Sequence, residues 1–220
     1  MSRITASHWA ISVVNPALPS LVGQLNTALS GCETILDVGC GTGSPLRFIR
    51  RGRLVGVDGF EPAVAEARLL RTHDEYLVGD VRQLDHLFSG RRFDACVALD
   101  VIEHLPKEDG WGMLEAMERL AQKRVVLFTP NGFVPQKSKN GDLQEHLSGW
   151  TTAEFSARGY KVLGMCGPKS LRGEYHIIRR KPRALWALAS LVVDYAHSRH
   201  HPESAAALLA VKNLPDGPEQ

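Results

Sequence analysis

Between residues 34 and 129 short apolar runs alternate with stretches of helix-forming composition, and this alternation restricts the fold more than any other feature. The runs Thr34–Val38, Leu54–Val57, Glu75–Val78, Phe93–Leu99 and Arg124–Thr129 predict strands. Their Val, Ile and Leu content suits strands covered on both faces. Pro45–Arg51, Glu61–Arg71 and Gly110–Gln122 predict the connecting helices, with Pro62 where a first helical turn tolerates proline. Strand and helix taken in turn give a parallel sheet with crossover helices, so the expected class is α/β with a doubly wound, mostly parallel sheet.

The 220 residues suffice for one sizeable core, and one domain over 1–220 is expected. Residues 1–30 predict a helical cap, two helices separated by Asn15-Pro16, and 31–166 the core. Residues 167–204 read as an insertion on the substrate side, and 205–212 as the last strand, with Ala205–Val211 its apolar run. Pro130–Trp150 is too long for a plain connection, which makes it a candidate functional loop. Thr151 followed by Glu154 is a capping box opening a short helix, and Tyr160–Met165 predicts a strand.

Charge and cysteine usage exclude several classes. Lys and Arg number 26 against 24 Asp and Glu, so no whole-protein field argues for nucleic acid or an acidic membrane. Cys32, Cys40, Cys96 and Cys166 form no Cys-x-x-Cys pair, and no early apolar stretch has signal-peptide flanks. Reduced thiols in a cytoplasm are expected. The longest strongly apolar run, Ala184 to Val193, falls well short of the roughly 18 residues that a spanning helix needs. A peripheral contact stays open, because seven basic residues between Lys161 and Arg183 face one acidic residue, Glu174, beside that run.

The chemistry is concentrated at predicted strand ends. ILDVGCGTGSPLRFI, from Ile35, places Asp37, Gly39, Gly41 and Gly43 where the chain must turn sharply and let a ligand approach the backbone. The Gly-x-Gly-x-Gly spacing is not that of a dinucleotide fingerprint, and no Gly-Lys-Ser/Thr of a phosphate loop follows. Asp58 ends the second strand, where a carboxylate accepts from a ribose diol, and Gly59 follows it. Gly79-Asp80-Val81 ends the third, where Asp80 can accept from an exocyclic amine such as that of adenine. Together these positions predict an adenosine pocket.

With these motifs in order, residues 30–165 resemble the class I S-adenosylmethionine-dependent methyltransferases, which implies a seven-stranded Rossmann-like sheet. The resemblance implies S-adenosylmethionine as cofactor and S-adenosylhomocysteine as product. It also implies that Gly39 and Gly41 hold the methionine portion, Asp58 the ribose, Asp80 with Val81 the adenine, and that Leu99 lines the methionine end. Asp100-Val-Ile-Glu103-His104, FTPN and EHLSGWTTAEF with His146 are similar to two families, small-RNA 2′-O-methyltransferases and ubiquinone-pathway O-methyltransferases. In those families the matching positions gather a divalent cation beside the acceptor hydroxyl. Here Asp100 is one methylene shorter than the usual Glu.

The expected reaction is methyl transfer to an oxygen of a small-molecule, glycan or lipid-like acceptor. Glu103, His104 and His146 are the candidate catalytic group, an imidazole takes the hydroxyl proton, and no metal is involved. RNA methylation and a catalytically inactive binding scaffold are the alternatives. RNA is disfavoured by the near-neutral charge and the lack of an aromatic stacking platform. His197, His200 and His201 read as exposed loop residues, and Trp111, Trp150 and Trp186 as packing residues.

Overall fold

A computed structural model of the chain describes residues 20–49, 52–137, 143–171, 181–182, 185–186, 190 and 193–215. The elements that position the site are α1 (Leu21–Ala28), β1 (Thr34–Val38), β2 (Arg53–Asp58), α2 (Glu61–Leu69), β3 (Glu75–Val78) and α3 (Leu84–Leu87). They continue as β4 (Phe93–Leu99), α4 (Lys107–Leu120), β5 (Ala121–Pro130), α5 (Thr152–Ala157), β6 (Lys161–Pro168) and β7 (Ala205–Asn213). One seven-stranded sheet runs in the order β3-β2-β1-β4-β5-β7-β6. Its first five strands are parallel, and β7 is antiparallel to both β5 and β6. The doubly wound α/β expectation is borne out.

The central strands β1 and β4 are buried along nearly their whole length, which is why their sequences are apolar without alternation. Two apolar layers cover the sheet. On one side Met113, Leu114 and Met117 of α4 pack with Phe88, Trp150 and Phe155; on the other Leu21, Leu25 and Leu29 pack with Ile35, Val97 and Phe128. The strand order reverses between β1 and β4, whose C-terminal ends face a crevice between oppositely directed crossovers, the place where open α/β sheets bind ligands.

Three local readings change. The helix predicted over Pro45–Arg51 is a 3₁₀ turn, Pro45–Phe48, capped by the Ser44 hydroxyl; Ile49 is already extended, and residues 50–51 lie outside the described residues. The helix expected at Gly110 starts at Lys107, because Pro106 sets the entry and Glu108 and Asp109 favour its first turn. The strand after it begins at Ala121 without a loop.

The first predicted cap helix, before Asn15-Pro16, lies outside the described residues, as do residues 16–19 and Arg172, Glu174, Arg179, Arg180 and Arg183. Of the predicted cap, α1 is described. His197 and His201 are exposed, and their rings stack with centroids 4.3 Å apart at a π-helical turn over Asp194–Ser198.

Candidate active site

At the end of β1 the backbone turns back so that the Gly39 and Cys40 amides both donate to the Val57 carbonyl, at 2.7 and 3.1 Å. Gly39 has φ of 72°, and a Cβ there would lie 2.4 Å from Val101 Cγ2, so sterics and conformation both demand glycine. Asp58 braces the turn: its Oδ2 accepts from the Gly41 amide at 2.9 Å and its Oδ1 from the Phe60 amide at 2.8 Å. Burial raises the Asp58 carboxyl above its ordinary range, and these two amide bonds oppose the rise. Gly43 and Gly59 are exposed beside the turn, and Leu143 reaches from the long loop to within 3.6 Å of where a Gly59 Cβ would stand.

Two expected ligand carboxylates are already engaged. Asp37 is 1% exposed, and its Oδ2 lies 2.8 Å from His73 Nε2, so this side chain is held inside the protein. Asp80 caps the 3₁₀ turn Val81–Gln83, with Arg82 Nε 3.0 and 2.9 Å from its two oxygens. The Arg82 hydrogen bonds hold Asp80 below the ordinary carboxylate range. An adenine amine would therefore share Asp80 with Arg82. Val81 and Leu99 are half-buried at their strand ends.

Across the switch point lies the acidic and histidine group. Glu103 is buried, and Thr129 Oγ1 donates to its Oε2 at 3.0 Å. Its main-chain carbonyl accepts from the Leu147 and Ser148 amides at 2.8 and 3.1 Å, which ties the long loop to the β4 end. The loop is pinned again by Trp150, fully buried, whose indole donates to the Ser148 hydroxyl at 2.9 Å. Asp100 takes the left-handed region at φ of 53°, and its Oδ1 is buried without a hydrogen-bond partner. Burial pushes the Asp100 carboxyl up to about 7. Burial, and then the Asp100 charge, hold Glu103 well above the ordinary carboxylate range.

His104 and His146 meet edge to face with ring centroids 4.8 Å apart. His104 Nδ1 lies 3.1 Å from the Glu145 carbonyl and His146 Nδ1 2.6 Å from the Val134 carbonyl. A carbonyl only accepts, so both Nδ1 atoms carry their protons and Nε2 is the basic nitrogen in each ring. One ligand atom from each of Glu103, His104 and His146 lies within 4.8 Å of the others. Imidazoles oriented by carbonyls behind them are what a divalent cation requires, so this donor set fits one. Asp100, the fourth position by resemblance, is not part of that cluster.

The structure thus brings Glu103, His104 and His146 together, and gathers Gly39, Gly41 and Asp58 at the opposite lip of the crevice. Sequence reading missed His73, Thr129 and Arg82. The spacing Asp80-x-Arg82 carried a local signal for the last, whereas His73 and Thr129 act over 36 and 26 residues of chain.

Sheet order, glycine turn and acidic strand ends are those of the class I S-adenosylmethionine-dependent methyltransferase fold, and residues 35–124 match the family described as a methyltransferase domain. Over 107 residues the chain is 35% identical to a chloroplastic magnesium protoporphyrin IX methyltransferase of Arabidopsis thaliana. That match covers 46% of this chain and 34% of the relative, so the chain spans about a third of that curated protein's length. Among solved structures, a Synechocystis magnesium protoporphyrin IX methyltransferase with bound S-adenosylmethionine superposes with a TM-score of 0.54 at 18% identity, covering 96% of this chain and 85% of that one. The methyltransferase domain of a bacterial CtHen1 gives 0.54 at 19% identity, covering 88% and 97%. The class I fold expected from the motifs is borne out.

Proposed function

We infer that the chain is an S-adenosylmethionine-dependent methyltransferase that methylates a hydroxyl oxygen of a small-molecule or lipid-like acceptor. The observation that carries this reading is the position of two basic Nε2 atoms and a buried carboxyl across the switch point from the Asp58-braced glycine turn. In this reading Gly39 and Gly41 receive the methionine portion of the cofactor and Asp58 its ribose, while Val81 and the shared Asp80 take the adenine. A sulfonium methyl in the crevice then faces the histidines.

Transfer is an in-line displacement. The acceptor oxygen bonds to the methyl carbon, the carbon–sulfur bond breaks, and the electron pair leaves with sulfur as a neutral thioether. A high-pKa hydroxyl must lose its proton in the step, and His104 or His146 takes it at Nε2. The carbonyl on each Nδ1 fixes the ring that receives it. Glu103, held by Thr129, orients the loop that carries His146 rather than acting as the base. Should a divalent cation occupy Glu103, His104 and His146, it would supply acidification of the hydroxyl. Among the described residues no helix is long and apolar enough to cross a membrane.

Calorimetry with S-adenosylhomocysteine tests the cofactor half. Wild-type protein binds it, and Asp58→Ala weakens binding by about 1.5–3 kcal/mol, the cost of losing hydrogen bonds to a charged group. Unchanged affinity would remove Asp58 as ribose anchor. Elemental analysis with turnover after chelation tests the acceptor half. A stoichiometric divalent ion whose removal abolishes turnover would replace the imidazole base with a metal.

A further inference from the structure

We propose that His73 is a positioning residue for the cofactor turn, acting by holding the Asp37 carboxylate inside the protein and away from the ligand side of the glycine loop. The inference rests on the reading of that loop as the cofactor site. It starts from a buried pair that the proposed reaction does not use. His73 and Asp37 side chains are 0% and 1% exposed, and Nε2 to Oδ2 is 2.8 Å. A carboxylate only accepts, so His73 Nε2 carries the proton of this bond.

The pair crosses a strand. Asp37 belongs to β1 and His73 to the segment between α2 and β3, with β2 between them in the sheet. The imidazole reaches across because Gly56 of β2 has no side chain. A Cβ at Gly56 would lie 2.9 Å from Cys40 Sγ and 3.2 Å from His73 Cδ2, so the loop cysteine and the imidazole both lie against that bare position. His73 is itself fixed. Its amide donates to the Tyr76 hydroxyl at 2.6 Å, that hydroxyl donates to the Ala67 carbonyl at 3.1 Å, and Thr72 Oγ1 lies 2.9 Å from Nδ1. The Tyr76 ring meets the imidazole edge-on at 5.6 Å.

Asp37 lies two residues before Gly39, where β1 enters the loop that receives, in the proposed function, the zwitterionic amino-acid end of the cofactor. The His73 bond keeps Asp37 pointing inward and compensates a charge that would otherwise be buried alone, which is costly. The glycine turn is therefore held from two sides, by Asp58 through the Gly41 amide and by His73 through Asp37.

The test is calorimetry with S-adenosylhomocysteine on the full chain, together with amide hydrogen exchange at Gly39–Gly41. His73→Phe, which keeps an aromatic ring but removes the donor, is expected to weaken binding about tenfold and to speed loop exchange, because it strands the Asp37 charge. His73→Gln, which returns a donor, restores affinity to within about threefold of wild type; Asp37→Asn/His73→Phe recovers most of the loss, because no charge is then stranded. A loss of packing alone would be rescued by neither change, and that result overturns the proposal. So does His73→Phe binding within about twofold of wild type. Should His73→Phe fail to fold, the double variant decides: folding and binding support the stranded-charge account, and failure overturns it. Wild-type protein that does not bind S-adenosylhomocysteine would sink the cofactor reading instead, and loop exchange in the variants would still decide the role of His73.

Discussion

The two halves of the sheet present side chains at the C-terminal edge by different means. In the β1–β2–β3 half the tips are closed by their own residues and by the adjoining strand ends: Asp58 binds the Phe60 amide two positions on and the Gly41 amide, Asp80 binds Arg82, the Gly39 turn closes on Val57, and His73 on Asp37 adds a long-range brace. In the β4–β5 half the site is assembled from three separated segments, 100–104, 129–136 and 143–150, joined by Thr129 to Glu103, by Glu103 to Leu147 and Ser148, and by the carbonyls behind His104 and His146. Local construction yields a rigid, narrowly defined shape suited to one cofactor. Assembly from distant segments leaves most of the acceptor side free to diverge, while Val101 stays packed against the Gly39 turn.

The largest effect should follow from breaking the local half at its tightest point. Gly39→Ala introduces a Cβ 2.4 Å from Val101 Cγ2 at φ of 72°. It should cost about 2–4 kcal/mol of stability, left-handed strain and overpacking together, and remove S-adenosylhomocysteine binding. Thermal melting and calorimetry would check both. A folded variant that binds normally would mean that the turn is not the cofactor cradle.

A second prediction sharpens the comparison through pH. The folded state raises the Asp100 carboxyl from 3.8 to about 7 and Glu103 well above its ordinary range, by burial. Over that interval the folded protein holds more protons than the unfolded chain, so stability falls as pH rises, beginning near the unfolded carboxyl values. For Asp100 the decline levels off above about 7. Asp100→Asn removes its share, so melting temperatures of variant and wild type should diverge between pH 5 and pH 8, with the variant the less pH-dependent, roughly as linkage requires. Parallel curves would show that the pair is solvated in solution.

The contrast between the halves also explains what the sequence made legible. Short apolar runs specify strands, and a glycine run after an apolar strand specifies the turn, because both depend on neighbours in the chain. Thr34–Val38, Glu75–Val78 and Phe93–Leu99 therefore emerged with their observed bounds. His73 was illegible because its partner Asp37 is reached only through the register of β1 with β2 and the gap at Gly56. Trp150 was read as packing, which it is, fully buried against Phe155, but its indole also ties the loop to Ser148. The inward turn of Asp37 was hidden for a further reason: an acidic residue at a strand tip looks the same in sequence whether it faces ligand or protein.

The smallest effect tests whether the acceptor half can be loosened alone. Thr151 opens α5 directly after Trp150: its hydroxyl accepts from the Glu154 amide while the Glu154 carboxylate accepts from the Thr151 amide at 2.9 Å. Lys107 from α4 pairs with Glu154 at 2.7 Å and lies 3.7 Å from the Trp150 ring centroid, so the cap, the helix and the loop anchor form one unit. Thr151→Ala removes the cap and should lower stability by about 1 kcal/mol, the usual cost of losing a capping hydroxyl. Because this unit is joined to Ile102, Ser148 and α4 rather than to Asp58 or the Gly41 amide in its hydrogen bonds, S-adenosylhomocysteine affinity should stay within about twofold of wild type. Equilibrium denaturation and calorimetry on the same preparation separate the two numbers. A parallel fall in both would show that the two halves are one cooperative unit, and the division drawn from their construction would fail.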